Sequence, residues 1–292
     1  METVPAANAA AELRKLLAAP SLVRAPGVFD GLGAHLVRDA GFSAAYLTGA
    51  GIAVSGYGVP DIGLVTASEM ADRAAMIVEA SGLPVIADAD TGYGNALNVT
   101  RTVHAYERAG VAAIQLEDQV SPKRCGHLAG KEVISPAEFT GKLRAALDAR
   151  RAETVIIART DARAPAGIGE AIDRANQYAA AGADLIFVEA PETREEIERI
   201  AAEVKAPLLF NVVPGGHSPE ISDSDLERLG FRLAIYPGAL LAPAAAAMAE
   251  TLARMGVHDP GDTAAPGKVI GPAGIFGLVG LAEWLRLSER YG

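Results

Sequence analysis

Four times in this chain a helical run ends at an Ala-Gly or Leu-Gly pair and a short apolar strand follows: "VRDAGFSAAYLTG", "YERAGVAAIQLED", "YAAAGADLIFVEA" and "LERLGFRLAIYPG". "IVEASGLPVIADAD" and "AAEVKAPLLFNVV" are looser copies of the same unit. Glycine just past a helix end tolerates the left-handed backbone that stops the helix. The strands that follow are apolar at consecutive positions, as expected where a parallel sheet is buried on both faces. Strands are expected at Leu22–Ala25, Ala44–Thr48, Pro84–Asp88, Ala113–Glu117, Val155–Arg159, Leu185–Glu189, Leu208–Asn211 and Leu233–Tyr236. Eight strands alternating with helices predict an α/β fold, a (β/α)₈ TIM-type barrel; a doubly wound open sheet is the competing architecture, and the count of eight and the even alternation favour the barrel. No linker divides the 292 residues, so one domain is expected over residues 1–292. A helix near Asn8–Ala18 is placed to cover the lower end of the barrel. The Ala-rich segment after Tyr236 reads as a helical extension that packs on a neighbouring subunit.

The formal net charge of −10 argues against a nucleic-acid or anionic-membrane surface. A single cysteine, Cys125, excludes an internal disulfide framework. The opening "METVPAANAAAELRKLL" lacks the basic-then-apolar order of a secretory signal. The late apolar stretch "VIGPAGIFGLVGLAEWL" is broken by Gly271, Pro272, Gly274 and Gly277 and reads as no membrane span. A cytoplasmic protein acting on a small molecule is expected.

In such a barrel the reactive groups gather where the strands end. Here those ends are polar: Thr48-Gly49, Asp88-Ala89-Asp90, Glu117-Asp118, Arg159-Thr160-Asp161, Glu189 and Asn211. A single one of these residues reads equally well as a solvated loop side chain or a buried ion pair, such as Arg159 with Glu189. The set does not, because clustered carboxylates repel one another unless a cation neutralises them. A hard divalent ion such as Mg²⁺ takes carboxylate oxygens and water. Asp88 and Asp90 are spaced to reach one ion where strand turns into loop, and Asp61 in "YGVPDIG" to join through a water. "DADTGYGN" lacks the Gly-Lys-Ser/Thr ending of a nucleotide loop, so its glycines are expected to turn the chain over the metal. A lone cysteine is most often a small buried hydrophobe. In "SPKRCGHLAGK", however, Cys125 sits in a loop among cations that favour a thiolate and make its proton easier to exchange. His35, His104, His217 and His258 fall in helical or peripheral contexts without paired-ligand spacing, which argues against zinc.

Taken together, "YLTGAGIAVSGYGVPDIG", "PVIADADTGYGN", "QLEDQVSPKRCGH" and "IIARTDA" resemble, in order and at similar spacing, the isocitrate lyase and phosphoenolpyruvate mutase superfamily. The resemblance runs from about Arg24 to Pro237 and points to the methylisocitrate-lyase-like branch. It implies a Mg²⁺-dependent barrel, with Mn²⁺ as the substitute ion, and a homotetramer whose C-terminal helices are exchanged between subunits. Such lyases split a 2-hydroxy di- or tricarboxylic acid into a 2-keto acid, such as pyruvate, and a carboxylic acid. The resemblance implies that Cys125 gives the proton to the departing carbanion. It implies Asp88 and Asp90 as metal-binding residues, with Asp61 and Glu117 around them. Thr48, Gly49 and Ala50 match contacts to the keto-acid portion, Gly126 and His127 line the closed loop, and Arg159, Glu189 and Asn211 match substrate-pocket positions. Tyr46 is matched as a proton acceptor.

Two departures from that pattern bear on substrate. "NVVPGG" has Val213 and Pro214 where lyases of tricarboxylates offer a hydroxyl and a polar residue, and Ala242 stands where methylisocitrate-lyase-like proteins carry an arginine. A pocket without these groups suits a smaller or more apolar acid, such as an alkyl-substituted malate. Phosphonomutases acting on phosphoenolpyruvate-like substrates share much of the pattern, including "PKRCGHL", and remain the alternative. Oxaloacetate decarboxylases of the superfamily fit less well, because they generally lack the cysteine loop.

Overall fold

The structure is a computed structural model that describes residues 6–255, 271–278 and 280–291. Eight strands form it: β1 (Val23–Val28), β2 (Ala45–Leu47), β3 (Val85–Asp88), β4 (Ala113–Glu117), β5 (Val155–Thr160), β6 (Leu185–Val188), β7 (Leu208–Asn211) and β8 (Phe231–Tyr236). They pair in sequence order and close into a barrel. The closing pair is parallel, with Val23 opposite Leu233 and Pro26 opposite Tyr236. An open doubly wound sheet would leave those two edges unpaired, so the closure decides for the barrel. β1 runs on to Val28, past the expected end at Ala25, because Pro26 is held in the seam. At Gly27 the seam is tight enough that a Cβ would lie 2.3 Å from the carbonyl oxygen of Pro237.

The helices are α1 (Ala6–Ala18), α2 (Gly31–Asp39), α3 (Gly49–Tyr57), α4 (Ala67–Ser81), α5 (Ala96–Ala109), α6 (Pro136–Ala149), α7 (Arg163–Ala180), α8 (Arg194–Glu203), α9 (Asp223–Arg228), α10 (Leu241–Arg254), α11 (Pro272–Leu278) and α12 (Leu281–Tyr291). Alternation along each strand divides the core in two. One set, including Leu47, Ala87, Ile114 and Ile156, packs outward on the helices. The other, including Val23, Ile86, Ile157 and Leu233, fills the barrel interior together with Leu13 of α1. Leu13 is fully buried, so α1 covers the lower end as expected. That plug leaves the upper end, where the strands finish, as the open one.

Several helix starts also fix residues of that upper end. Thr48 precedes α3 in extended conformation, and its hydroxyl accepts the Gly51 N–H at 3.1 Å. This satisfies one of the free donors of the first turn and locks the Thr48 side chain. After β8, α10 crosses the upper end and α11 packs on it, bringing Leu241, Ile275 and Phe276 into one apolar cluster. No helix among the described residues is long and apolar enough to cross a membrane.

Candidate active site

A cavity of about 530 Å³ opens at the C-terminal ends of the strands. Its floor is polar: Tyr46 and Thr48 from β2 and its end, Asp88 from β3, Arg159 from β5, Glu189 after β6 and Asn211 from β7. Its roof is apolar, from Leu241 and Ala242 of α10 and Ile275 and Phe276 of α11. Ala50, Asp61, Cys125, Gly126 and His127 line the wall between them, as do Val213 and Pro214. Gly49 and Asp90 lie behind Asp61, against a smaller cleft, and Glu117 is buried beneath the floor.

The chain turns sharply after β3. Asp90, Gly92, Tyr93 and Gly94 all take positive φ, and the Asp90 N–H folds back onto Asp88 Oδ1 at 3.1 Å. Gln115 Nε2 donates to the same oxygen at 3.5 Å, and the Tyr106 hydroxyl donates to the Asp88 carbonyl at 3.0 Å. Gly49 gives Asp88 room, since a Cβ there would sit 2.8 Å from Asp88 Oδ2. The Lys123 ammonium lies 2.5 Å from Asp61 Oδ1 and 2.8 Å from Asp90 Oδ1.

Positive charge remains short. Among the described residues, Asp61, Asp88, Asp90, Glu117, Asp161 and Glu189 face Lys123, Lys131 and Arg159, with His127 beside Glu189. Burial, reinforced by Asp88 and Asp61 and only partly offset by Lys123, pushes Asp90 up to about 7. Burial likewise raises Asp88 and Glu117 against the pull of Lys123 and Arg159. Asp90 Oδ1 and Glu117 Oε1 are buried without a hydrogen-bond donor in line with them. Among the described residues, no three carboxylate, histidine or cysteine side chains converge on one point. The carboxylate oxygens present suit a hard cation such as Mg²⁺, which takes one or two carboxylates and keeps water and substrate oxygens for the rest. A softer ion that wants a full protein cage is a poorer match.

On the opposite side of the floor Arg159 grips Asp161 through Nε and Nη2, at 2.8 and 2.9 Å. It also lies 3.4 Å from Glu117 and 3.9 Å from Glu189, and stacks 5.1 Å over the Phe187 ring. The expected Arg159–Glu189 pair is thus the looser of its contacts. Burial works to raise Glu189, but Arg159 and His127 outweigh it and hold that carboxyl well below the usual range. Asn211 Nδ2 donates to both Glu189 oxygens at 3.4 and 3.3 Å, leaving Asn211 Oδ1 buried and unpartnered.

The loop between β4 and α6 is folded down on this floor. The Cys125 N–H donates to the Asp61 carbonyl at 3.1 Å. Lys131 Nζ donates to the Gly126 carbonyl at 2.5 Å and to Asp161 at 3.0 Å. Gly126 passes so close to the floor that a Cβ would lie 2.1 Å from Glu189 Oε1. Cys125 packs with Leu241, Ile275 and Phe276. The expectation that neighbouring cations favour its thiolate is corrected by this arrangement. Lys123 is committed to Asp61 and Asp90, and Arg124 turns to the Ala129 carbonyl. Burial, with Asp61 behind it, pushes the Cys125 thiol up to about 12.

One other expectation changes. Tyr46 was matched as a proton acceptor; burial and then Asp88 raise its phenol well above the ordinary value, and its hydroxyl donates to Gln115 Oε1 at 3.3 Å. It is a fixed donor. His217 is exposed as expected, yet its ring stacks on His127 at 5.8 Å and its N–H donates to His127 Nδ1 at 3.0 Å. His258 lies outside the described residues. Asp118 turns away from the cavity and accepts from Thr160, Tyr178 and the Asp161 N–H, which ties β4 to β5 and α7. Sequence reasoning gave no role to Gln115 or Lys131. Gln115 was legible as the fully buried polar residue inside the apolar strand "AIQLE"; Lys131 was not, because its partners depend on where the loop lands.

Residues 13–256 match the family described as phosphoenolpyruvate phosphomutase. The chain is 50% identical over 244 residues to a 2,3-dimethylmalate lyase from Eubacterium barkeri, covering 83% of this chain and 84% of the relative. It is 48% identical over 225 residues to a 2-methylisocitrate lyase from Aeropyrum pernix, covering 77% and 72%. Among solved structures, an oxaloacetate acetylhydrolase in complex with 3,3-difluorooxalacetate superposes with a TM-score of 0.84 at 40% identity, covering 98% of this chain and 97% of that one. A phosphonopyruvate hydrolase in complex with oxalate and Mg²⁺ superposes with a TM-score of 0.75 at 32% identity, covering 99% of each.

Proposed function

The chain belongs to the phosphoenolpyruvate mutase and isocitrate lyase superfamily and is a carbon–carbon lyase of it, and from that premise we propose a Mg²⁺-dependent enzyme that splits an alkyl-substituted 2-hydroxy dicarboxylate into a 2-keto acid and a carboxylic acid. The observation that carries the reading is the placement of Cys125. Its neutral thiol sits at the boundary between a carboxylate-rich floor and an apolar roof in one cavity.

Asp88 and Asp90 would hold the ion, with Asp61 and Glu117 around it, and Mn²⁺ would substitute. Bound there, the ion would draw negative charge from the hydroxyl and carboxylate oxygens of the substrate. The chain's own groups do the rest. Thr48 is locked by its cap and, with the start of α3 at Gly49 and Ala50, faces the keto-acid end. Asp161 holds Arg159 by its Nε and Nη2, which would leave Nη1 to meet a substrate carboxylate. Glu189 and Asn211 offer oxygens to donors on the substrate, and Gly126 and His127 close the wall. As the C–C bond breaks, its electron pair moves to the α-carbon of the departing fragment and the hydroxyl carbon becomes a carbonyl. The hydroxyl proton passes to the carboxylate-rich floor, and the Cys125 S–H bond gives its proton to the carbanion. A thiol raised by burial arrives protonated, as a general acid must.

Substrate size follows from the lining. Ala242, Val213 and Pro214 all face the cavity, and the cations that line it, Lys123 and Arg159, are already paired. A third substrate carboxylate would find no free cation among the described residues, whereas an alkyl group would meet Leu241 and Phe276. A homotetramer with exchanged C-terminal helices and a cytoplasmic location belong to the same proposal. The exposed stripe of Met248 and Leu252 on α10, continued by Met255 just past its end, supports the assembly. The test is product analysis with Mg²⁺ on 2,3-dimethylmalate, 2-methylisocitrate, oxaloacetate and phosphoenolpyruvate. Equal amounts of keto acid and carboxylic acid from the dialkylmalate are expected. Oxalate and acetate from oxaloacetate, free CO₂, or a carbon–phosphorus product as the main reaction would overturn the reading.

A further inference from the structure

The segment between β7 and α9 touches the cysteine loop at one point, and the contact is made by backbone. The His217 N–H donates to His127 Nδ1 at 3.0 Å. A ring nitrogen that accepts carries no proton, so the neutral His127 ring carries its proton on Nε2. That atom lies 3.2 Å from Glu189 Oε1, out of line for a hydrogen bond but close enough for charge to hold it there, and has no hydrogen-bond partner among the described residues. The ring is thereby held between a backbone donor on one side and a carboxylate on the other. Stacking of the His217 ring at 5.8 Å and 12° covers its face. Gly216 lets the two segments meet: a Cβ there would lie 2.6 Å from His127 Nδ1, and the ring has no room to withdraw because Glu189 stands behind it. Gly215 in turn carries the residue before α11, with the place of a Gly271 Cβ 3.0 Å from the Gly215 oxygen.

We propose that Gly216 and the His217 backbone amide are positioning residues for the lyase step: they fix the His127 ring, and through it the Gly126–His127 peptide and Cys125, against Glu189. The contact joins the loop that carries the thiol to the strand end that carries Asn211, two segments separated by about ninety positions of sequence. The loop's other anchors, Lys123 on Asp61 and Asp90 and Lys131 on Asp161, hold it to β3 and β5. Without the His127 anchor nothing described ties its centre to the β6–β7 side.

The proposal rests on the lyase reading only for its activity assay, so the first measurement needs no substrate. Hydrogen exchange of the peptide covering residues 122–131 is compared in the parent, Gly216→Ala, His217→Pro and His217→Ala. The first two variants crowd or delete the amide, and the third keeps it. Exchange is expected to rise in the first two and to stay near the parent's in the third, at unchanged melting temperature within a few degrees. Equal behaviour of all three, or no change in any, overturns the proposal; Gly216→Ala alone carries the comparison should His217→Pro not fold. The second measurement is a double-mutant cycle on the active substrate. Gly216→Ala should lower kcat by about 10²-fold with a smaller change in KM, as displacement of a reacting group by about 1 Å does. In a His127→Ala background, which has no acceptor and no ring, the same substitution should cost almost nothing further, because the contact is already gone. Full additivity would show that Gly216 acts elsewhere and sink the positioning role, while failure of every substrate would count against the lyase reading and leave the exchange result standing.

Discussion

Arg159 and Asp161 stand two residues apart on the same strand end and grip one another through two hydrogen bonds, at 2.8 and 2.9 Å, both side chains buried. Burial works to raise Asp161, but Arg159 and Lys131 hold its carboxyl below the ordinary value. The guanidinium is thus oriented before any substrate arrives, and the same Nε and Nη2 atoms lie 3.4 Å from Glu117 and 3.9 Å from Glu189. Arg159→Met removes the cation and leaves buried carboxylates facing one another. A loss of about 3–5 kcal/mol of unfolding free energy is expected, the cost of breaking a buried pair from one side. Denaturant titration checks it. A loss below about 1 kcal/mol would mean that the network tolerates the missing charge.

Cys125→Ser keeps the size of the side chain but replaces the thiol with a far weaker acid. Turnover should fall by roughly 10²–10⁴-fold. Binding of pyruvate with Mg²⁺ should persist, because Asp88 and Arg159 are untouched. Calorimetry and a keto-acid assay measure the two separately. C–C cleavage at close to the parent's rate would remove Cys125 from the proton transfer.

Metal binding should be pH-dependent in a direction fixed by Asp90. Its pKa is raised to about 7 in the folded protein, above the unfolded carboxyl near 3.9. The folded, metal-free chain therefore binds this proton more tightly than the unfolded chain. Its contribution to stability is lost as pH rises from about 4 through about 7. An ion must displace that proton, so the rise in Tm caused by Mg²⁺ should be larger at about pH 8 than at about pH 6 and level off above about 7. Thermal melts with Mg²⁺ and with chelator at each pH decide. An increment that is the same at both pH values, or larger at the lower one, would count against Asp90 as a ligand.

Ala242 faces the cavity where a third carboxylate would need a partner. Losing a cation for a buried carboxylate typically costs about 2–5 kcal/mol. Isocitrate and 2-methylisocitrate should accordingly show kcat/KM at least about 10-fold below that of a dialkylmalate. Ala242→Arg should narrow the gap from the tricarboxylate side. Efficient cleavage of a tricarboxylate by the parent would mean that another cation reaches the roof.

The barrel was written in the sequence, because each strand is local: a few consecutive, mostly apolar and buried residues, preceded in the four clear copies by a glycine stop. The residues of the floor were legible for the same reason, since in a barrel the end of every strand arrives at one rim. Asp88, Arg159, Glu189 and Asn211 needed only their strand positions to be placed together. What the sequence could not decide was which charge meets which. Lys123 stands beside Cys125 in the chain and looks like its activator, yet it is spent on Asp61 and Asp90. Arg159 reads as a candidate partner of Glu189, which it meets at 3.9 Å, but it closes on Asp161 at 2.8 and 2.9 Å. His217, ninety residues from His127, holds its ring through a backbone amide that no residue type announces. Strand order is set by short-range pattern and hydrophobic burial, whereas ion pairing and the protonation of Cys125 depend on where a loop is folded and how completely water is excluded there. Only the tertiary structure supplies those.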